Sequence, residues 1–127
     1  MLSRKLLLVL GGLAFMAYLL AGQAFANKAA VSIQAPTEVP RGSEVVIRVT
    51  VTHSENNPLH YTDWVYVMVN GKEVARWDYT AFNRPDAATF IKEIKYTADD
   101  NMEVKAEANC NLHGSAGPAI SKISIKE

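Results

Sequence analysis

The chain has 127 residues, with 13 basic and 13 acidic side chains and a formal net charge of zero, so it lacks the positive excess on which nucleic-acid binding draws. Its single cysteine, Cys110, excludes an intramolecular disulfide. No Gly-rich phosphate loop precedes a helical pattern and no Ser-His-Asp grouping can be assembled, so nucleotide binding and hydrolase chemistry have no candidate residues.

The chain opens on a basic segment, Met1-Leu-Ser-Arg4-Lys5, continues as an apolar run from Leu6 to about Leu20, and then reads Ala24-Phe25-Ala26. These are the three parts of a secretory signal, with cleavage expected after Ala26. Ser3-Arg4-Lys5-Leu6-Leu7 also resembles a twin-arginine export signal with Lys in the second position. The apolar run is short for a spanning helix, which needs about 20 apolar residues; an uncleaved membrane anchor is the alternative. Residues 1–26 are therefore expected to be a signal peptide and 27–127 a single domain. That domain is expected in the periplasm or otherwise exported, with no stable membrane insertion after cleavage.

From Asn27 onward, period-2 alternation dominates. Val31–Gln34, Val45–Val51, Trp64–Val69, Glu73–Trp77, Thr89–Tyr96, Met102–Ala108 and Ala119–Ile125 all read as strands with one buried face. Turn signals separate them: Pro40-Arg-Gly42, Asn70-Gly71, Asn83-Arg-Pro85-Asp86 and Asp99-Asp100-Asn101. Asn70-Gly71 is the strongest, because both residues tolerate the positive φ of a type I′ hairpin turn. About seven short strands with such spacing predict an all-β fold, an immunoglobulin-like antiparallel β-sandwich. Trp64 and Trp77 read as core or cross-strand packing residues, and Asn56 and Asn57 as shaping the loop after the second strand.

All three histidines and the one cysteine fall in two short segments, His53-Ser-Glu-Asn-Asn-Pro-Leu-His60 and Asn109-Cys110-Asn-Leu-His113-Gly114. Imidazole and thiolate are strong ligands for transition metals, and an unpaired thiol in an oxidising compartment is protected by ligation. Both segments lie at strand ends, where a rigid sandwich can hold side chains against each other. His53, His60, Cys110 and His113 are therefore candidate metal ligands. The residue types admit a copper site of His₂Cys kind, although Gly114 to Ile120 supplies no Met for a weak axial bond. A metal-free interaction sandwich is the third reading.

The run from His60 through Trp64 to Val67, followed by Asn70-Gly71-Lys72-Glu73-Val74-Ala75-Arg76, resembles the HYIEWIEVYADGxLVAR stretch of superoxide reductases, the neelaredoxins and the iron domain of desulfoferrodoxin. Cys110-Asn-Leu-His113-Gly114 matches that family's CNLHG ligand motif letter for letter, and Val31–Pro36 resembles its first strand, PVIEAP. The resemblance implies an immunoglobulin-like domain holding one mononuclear non-haem iron. It also implies one-electron reduction of superoxide to hydrogen peroxide, with the electron coming from an unidentified donor protein. The family's iron has four equatorial imidazoles, one axial thiolate and an open position opposite the sulfur. By that resemblance His53, His60 and His113 are equatorial and Cys110 axial. The fourth equatorial histidine belongs to a Glu-Lys-His segment that here reads Asn27-Lys28-Ala29, so the ligand is missing. Lys28 aligns with the family's lysine, which would attract the anion and help deliver a proton; without that alignment it reads as a solvated residue near a terminus. Six residues separate His53 from His60, one more than is usual in the family.

Overall fold

The computed structural model describes residues 27–127, so the expected signal segment, 1–26, lies outside the described residues. Eight strands form: β1 (Ala30–Gln34), β2 (Glu38–Pro40), β3 (Glu44–Thr52), β4 (Thr62–Val69), β5 (Lys72–Asp78), β6 (Thr89–Thr97), β7 (Met102–Cys110) and β8 (Ala119–Lys126). They build a three-stranded sheet of order β1-β3-β6 and a five-stranded sheet of order β2-β8-β7-β4-β5. Each strand expected from alternation is present. The Asn70-Gly71 turn joins β4 to β5 with φ of 51° and 79° at the two residues, the left-handed pair that a type I′ hairpin requires.

The eighth strand, β2, departs from the expectation. It is three residues long, ends in Pro40 and pairs parallel with β8, which makes the larger sheet mixed rather than purely antiparallel. A proline cannot donate to a ladder and is tolerated at a sheet edge, so a short Pro-terminated segment carries no alternation from which to read a strand.

The core lies between the two sheets. On β3 the inward row is Val45, Ile47, Val49 and Val51; on β7 it is Met102, Val104, Ala106 and Ala108; β4 adds Val65, Val67 and Val69, and β8 adds Ile123. Each fully buried aliphatic side chain of this kind contributes roughly 1.5–3 kcal/mol of transfer free energy. The rows on β3 and β7 continue past the apolar residues at one end of the sandwich. The next inward position after Val51 is His53, 4% exposed, and the one after Ala108 is Cys110, 1% exposed. The same pleat that fills the core therefore delivers one histidine from the smaller sheet and the cysteine from the larger sheet to the same end of the molecule.

Candidate metal centre

A bulge prepares the site on β4. Thr62 pairs with Cys110 but Trp64 pairs with Asn109, leaving Asp63 as the extra residue. Strict alternation from Val65 would turn Thr62 outward; the bulge turns it in, fully buried, and puts its Oγ1 3.3 Å from His53 Nδ1. Asp63 is held in the bulge by Asn109 Nδ2, which donates to its carboxylate at 2.8 Å, and by the Tyr79 amide, which donates to its carbonyl at 2.8 Å. Trp64 consequently faces outward, stacked on Tyr66 with ring centroids 5.5 Å apart and with the Arg76 guanidinium 5.5 Å from its ring. It is a cross-strand packing residue rather than a core one.

The loop between His53 and His60 is fastened by asparagines. Asn56 Oδ1 accepts the Thr62 amide at 2.7 Å and lies 3.4 Å from His53 Nδ1, while Asn56 Nδ2 donates to the Ala87 carbonyl at 2.7 Å. Asn57 Oδ1 accepts the amides of Leu59 and His60 at 3.0 and 2.9 Å. From the other segment, Asn111 Oδ1 accepts the Tyr61 amide at 2.9 Å and its Nδ2 donates to the Leu59 carbonyl at 3.2 Å. The Cys110–Gly114 turn closes on itself with reciprocal backbone bonds of 2.9 and 3.0 Å, and Gly114 takes a φ of 83° there. The two segments are thus tied to each other as well as to their strands.

These fastenings converge the side chains. The ligand atoms of His53, His60 and Cys110 lie within 4.8 Å of one another, and all three residues are buried. His60 Nε2 is 3.1 Å from Cys110 Sγ, His113 Nδ1 is 3.2 Å from His60 Nε2, and His113 Nδ1 is 3.7 Å from Cys110 Sγ. Metal–nitrogen bonds of about 2.0 Å and metal–sulfur bonds of about 2.3 Å, opening at tetrahedral or octahedral angles, put adjacent donors roughly 2.9–3.6 Å apart. The 3.1 and 3.2 Å spacings fall in that range and the 3.7 Å spacing just beyond it. His113 sits at the solvent rim, exposed, and the other three lie beneath it.

Hydrogen bonds alone would satisfy part of this cluster. A Cys–His bond and a His–His bond account for the contacts of His60, His113 and Cys110, and the His113 amide points at Cys110 Sγ at 3.4 Å. They do not account for His53. Its Nδ1 faces Thr62 and Asn56, and its Nε2 is buried with no hydrogen-bond partner. A buried nitrogen lone pair without a partner costs about 1–3 kcal/mol, and a metal ion removes that cost. Burial pushes the His53 pKa down, opposed by the Asn56 bond, so the ring stays neutral and able to ligate near pH 7. His60 Nδ1 donates to Glu55 Oε1 at 2.8 Å, which leaves its Nε2 lone pair facing the sulfur. On these observations the residues fit a transition-metal ion.

The first residues of the described chain reach the same place. Ala29 is fully buried and bridges to Ser115, two positions beyond His113. The β1–β3 ladder pairs Ala30 with Thr52, so one further step sets Ala29 opposite His53, on the same inward face. Asn27, two positions before Ala29, is exposed. Lys28, half-buried between these two, makes no side-chain hydrogen bond or ion pair among the described residues. Sequence reasoning missed Glu55 and Thr62. Glu55 stands out only as an acidic residue between two histidines, and nothing in the sequence marks the bulge that turns Thr62 inward.

Fold and site together define an immunoglobulin-like sandwich whose core ends in a cluster of histidine and cysteine ligands. A family model described as Desulfoferrodoxin matches residues 22–115, and the chain belongs to that family. Among solved structures, a superoxide reductase (neelaredoxin) from Ignicoccus hospitalis is 20% identical, with a TM-score of 0.62 over 78% of this chain and 82% of that one. A variant of the superoxide reductase (neelaredoxin) from Archaeoglobus fulgidus, in the reduced form, is 17% identical, with a TM-score of 0.58 over 79% and 93%. A CARDB domain from Pyrococcus furiosus, solved with metal ions, is 16% identical, with a TM-score of 0.59 over 80% and 91%. At these identities the structural likenesses establish the fold alone. No curated protein matches by sequence.

Proposed function

We propose that this chain is an exported superoxide reductase, holding one iron through His53, His60, Cys110 and His113 and reducing superoxide to hydrogen peroxide. The observation that carries the proposal is the unpartnered, buried Nε2 of His53 beside the His60 imidazole and the Cys110 sulfur, in a chain of the Desulfoferrodoxin family. Iron bound there would supply the single electron; each superoxide also takes up two protons, and an external donor restores the electron.

Cys110, buried at the end of β7, would bind the metal as a thiolate, and the His113 amide is directed at its sulfur. Thr62 and Asn56 orient the His53 ring, and Glu55 orients the His60 ring. By the family resemblance Ala29 takes the position of the fourth imidazole, where it would offer a bound metal no ligand atom. Lys28, next to it and aligned with the family's lysine, would supply positive charge that draws an anion toward the site and a proton for the departing product. Export rests on the N-terminal segment, whose cleavage after Ala26 would leave Asn27 first; an intact-mass measurement on protein from the native compartment tests it.

The decisive experiment is consumption of superoxide by the iron-loaded protein with a reductant present. Reductase activity predicts hydrogen peroxide in proportion to superoxide consumed and no dioxygen. Dioxygen release would indicate dismutation, and no consumption would overturn the proposal. A second reading has its own support: the three buried candidates, His53, His60 and Cys110, are a His₂Cys set, which suits copper in an electron-transfer site. Against it, Met102 sits at the opposite end of β7 from Cys110 and has no route to an axial position.

A further inference from the structure

We infer that Glu55 is a positioning residue that sets the donor strength of His60 toward the bound metal. The inference rests on the metal-site reading above and extends it to a residue that the CNLHG motif and the histidine spacing do not mark. Glu55 belongs to the loop between His53 and His60, and its side chain is 55% exposed while that of His60 is 9% exposed. Its Oε1 accepts from His60 Nδ1 at 2.8 Å. Among the described residues it is the one carboxylate hydrogen-bonded to a candidate ligand.

Two consequences follow from that contact. A carboxylate can only accept, so the His60 proton is held on Nδ1 and the lone pair on Nε2, the atom 3.1 Å from Cys110 Sγ. The negative charge also draws the Nδ1 proton outward and makes Nε2 a stronger donor, which favours the more oxidised state of a metal bound there. His53 has no such partner: its Nδ1 meets the neutral oxygens of Asn56 and Thr62. The two buried imidazoles are therefore inequivalent, with the stronger donor on the side of the solvent-exposed carboxylate.

The test compares wild type with Glu55→Gln and Glu55→Ala. Cobalt(II) and iron(II) affinities are read by competition with a chromophoric chelator, midpoint potentials are read on the iron-loaded proteins, and unfolding is followed on the metal-free proteins. Removing a carboxylate behind a ligating histidine typically lowers metal affinity about 10–100-fold. Glu55→Ala should show that loss together with a raised midpoint potential. Glu55→Gln, whose amide oxygen still accepts from Nδ1, should keep more of the affinity while its potential moves in the same direction. Metal-free unfolding should be unchanged in Glu55→Gln, whose amide oxygen still accepts from His60 Nδ1, and should fall only modestly in Glu55→Ala, which leaves that buried N–H without its acceptor. Wild-type affinity and potential in both variants would overturn the inference while leaving the metal site intact. Equal losses of metal-free stability and affinity, with an unmoved potential, would reduce Glu55 to a structural role and also overturn it. A wild-type protein that binds neither metal would overturn the metal-site reading itself, and the inference with it.

Discussion

At the proposed metal site the departure from the family's ligand set is an alanine. Ala29 lies one ladder step beyond the Ala30–Thr52 pair, across from His53, and is fully buried against the turn that carries His113. Cross-strand partners on one face have Cβ atoms about 4.5–5.5 Å apart, within the reach of an imidazole to a metal held by its neighbour. Ala29→His should therefore add a fourth imidazole, raise iron affinity and speed superoxide reduction relative to wild type. Wild type itself is expected to be active but slower. Chelator competition and pulse-radiolysis rates check both parts; a variant that binds iron no better than wild type would show that residue 29 does not face the metal. Cys110 and His113 stand out directly in the sequence, because a chain with so few histidines and one cysteine confines them to two segments. That His53 and Cys110 would be buried and His113 exposed was not readable, since it depends on which strand row each residue continues.

At the scale of elements, the His53–His60 loop is held by side-chain amides rather than by apolar packing. Asn56 accepts from the fully buried Thr62 amide and donates to Ala87 across to the start of β6. Asn56→Ala leaves a buried amide without a partner, and the expected loss is about 1–3 kcal/mol in the urea unfolding of the metal-free protein; metal affinity should fall too as His53 loses its orientation. A loss confined to metal affinity would mean the loop anchors the ligand but not the strand. On the outer face of β4, Tyr66 donates to Glu107 at 2.7 Å, and burial followed by that hydrogen bond pushes its pKa up to about 12 from an ordinary 10.0. The fold favours the neutral phenol, so this contribution is fully present below pH 10.0 and is lost as pH rises toward about 12. Denaturation midpoints across that window should fall more steeply for wild type than for Tyr66→Phe. Strands with one buried face were readable from their alternation. Neither the Pro-ended β2 nor the bulge at Asp63 was, because a proline edge and an inserted residue both interrupt the period that a reader follows.

The molecule as a whole is a sandwich with its core plugged at one end by the candidate ligands. His53 continues the inward row of the three-stranded sheet and Cys110 that of the five-stranded sheet, so an ion bound between them would join the two layers where the aliphatic packing stops. The immunoglobulin-like architecture was readable because strand count, turn spacing and alternation agree. The convergence of the two segments depends on which end of each strand they leave, a property of topology rather than of spacing. The claim on which everything functional rests is that this plug holds iron. The most direct test is elemental analysis of protein produced with iron, copper and zinc all available, together with the visible spectrum of the oxidised form. One iron per chain is expected, with a thiolate-to-ferric charge-transfer band that Cys110→Ser abolishes. Stoichiometric copper with little iron, or protein that binds no metal, would contradict it.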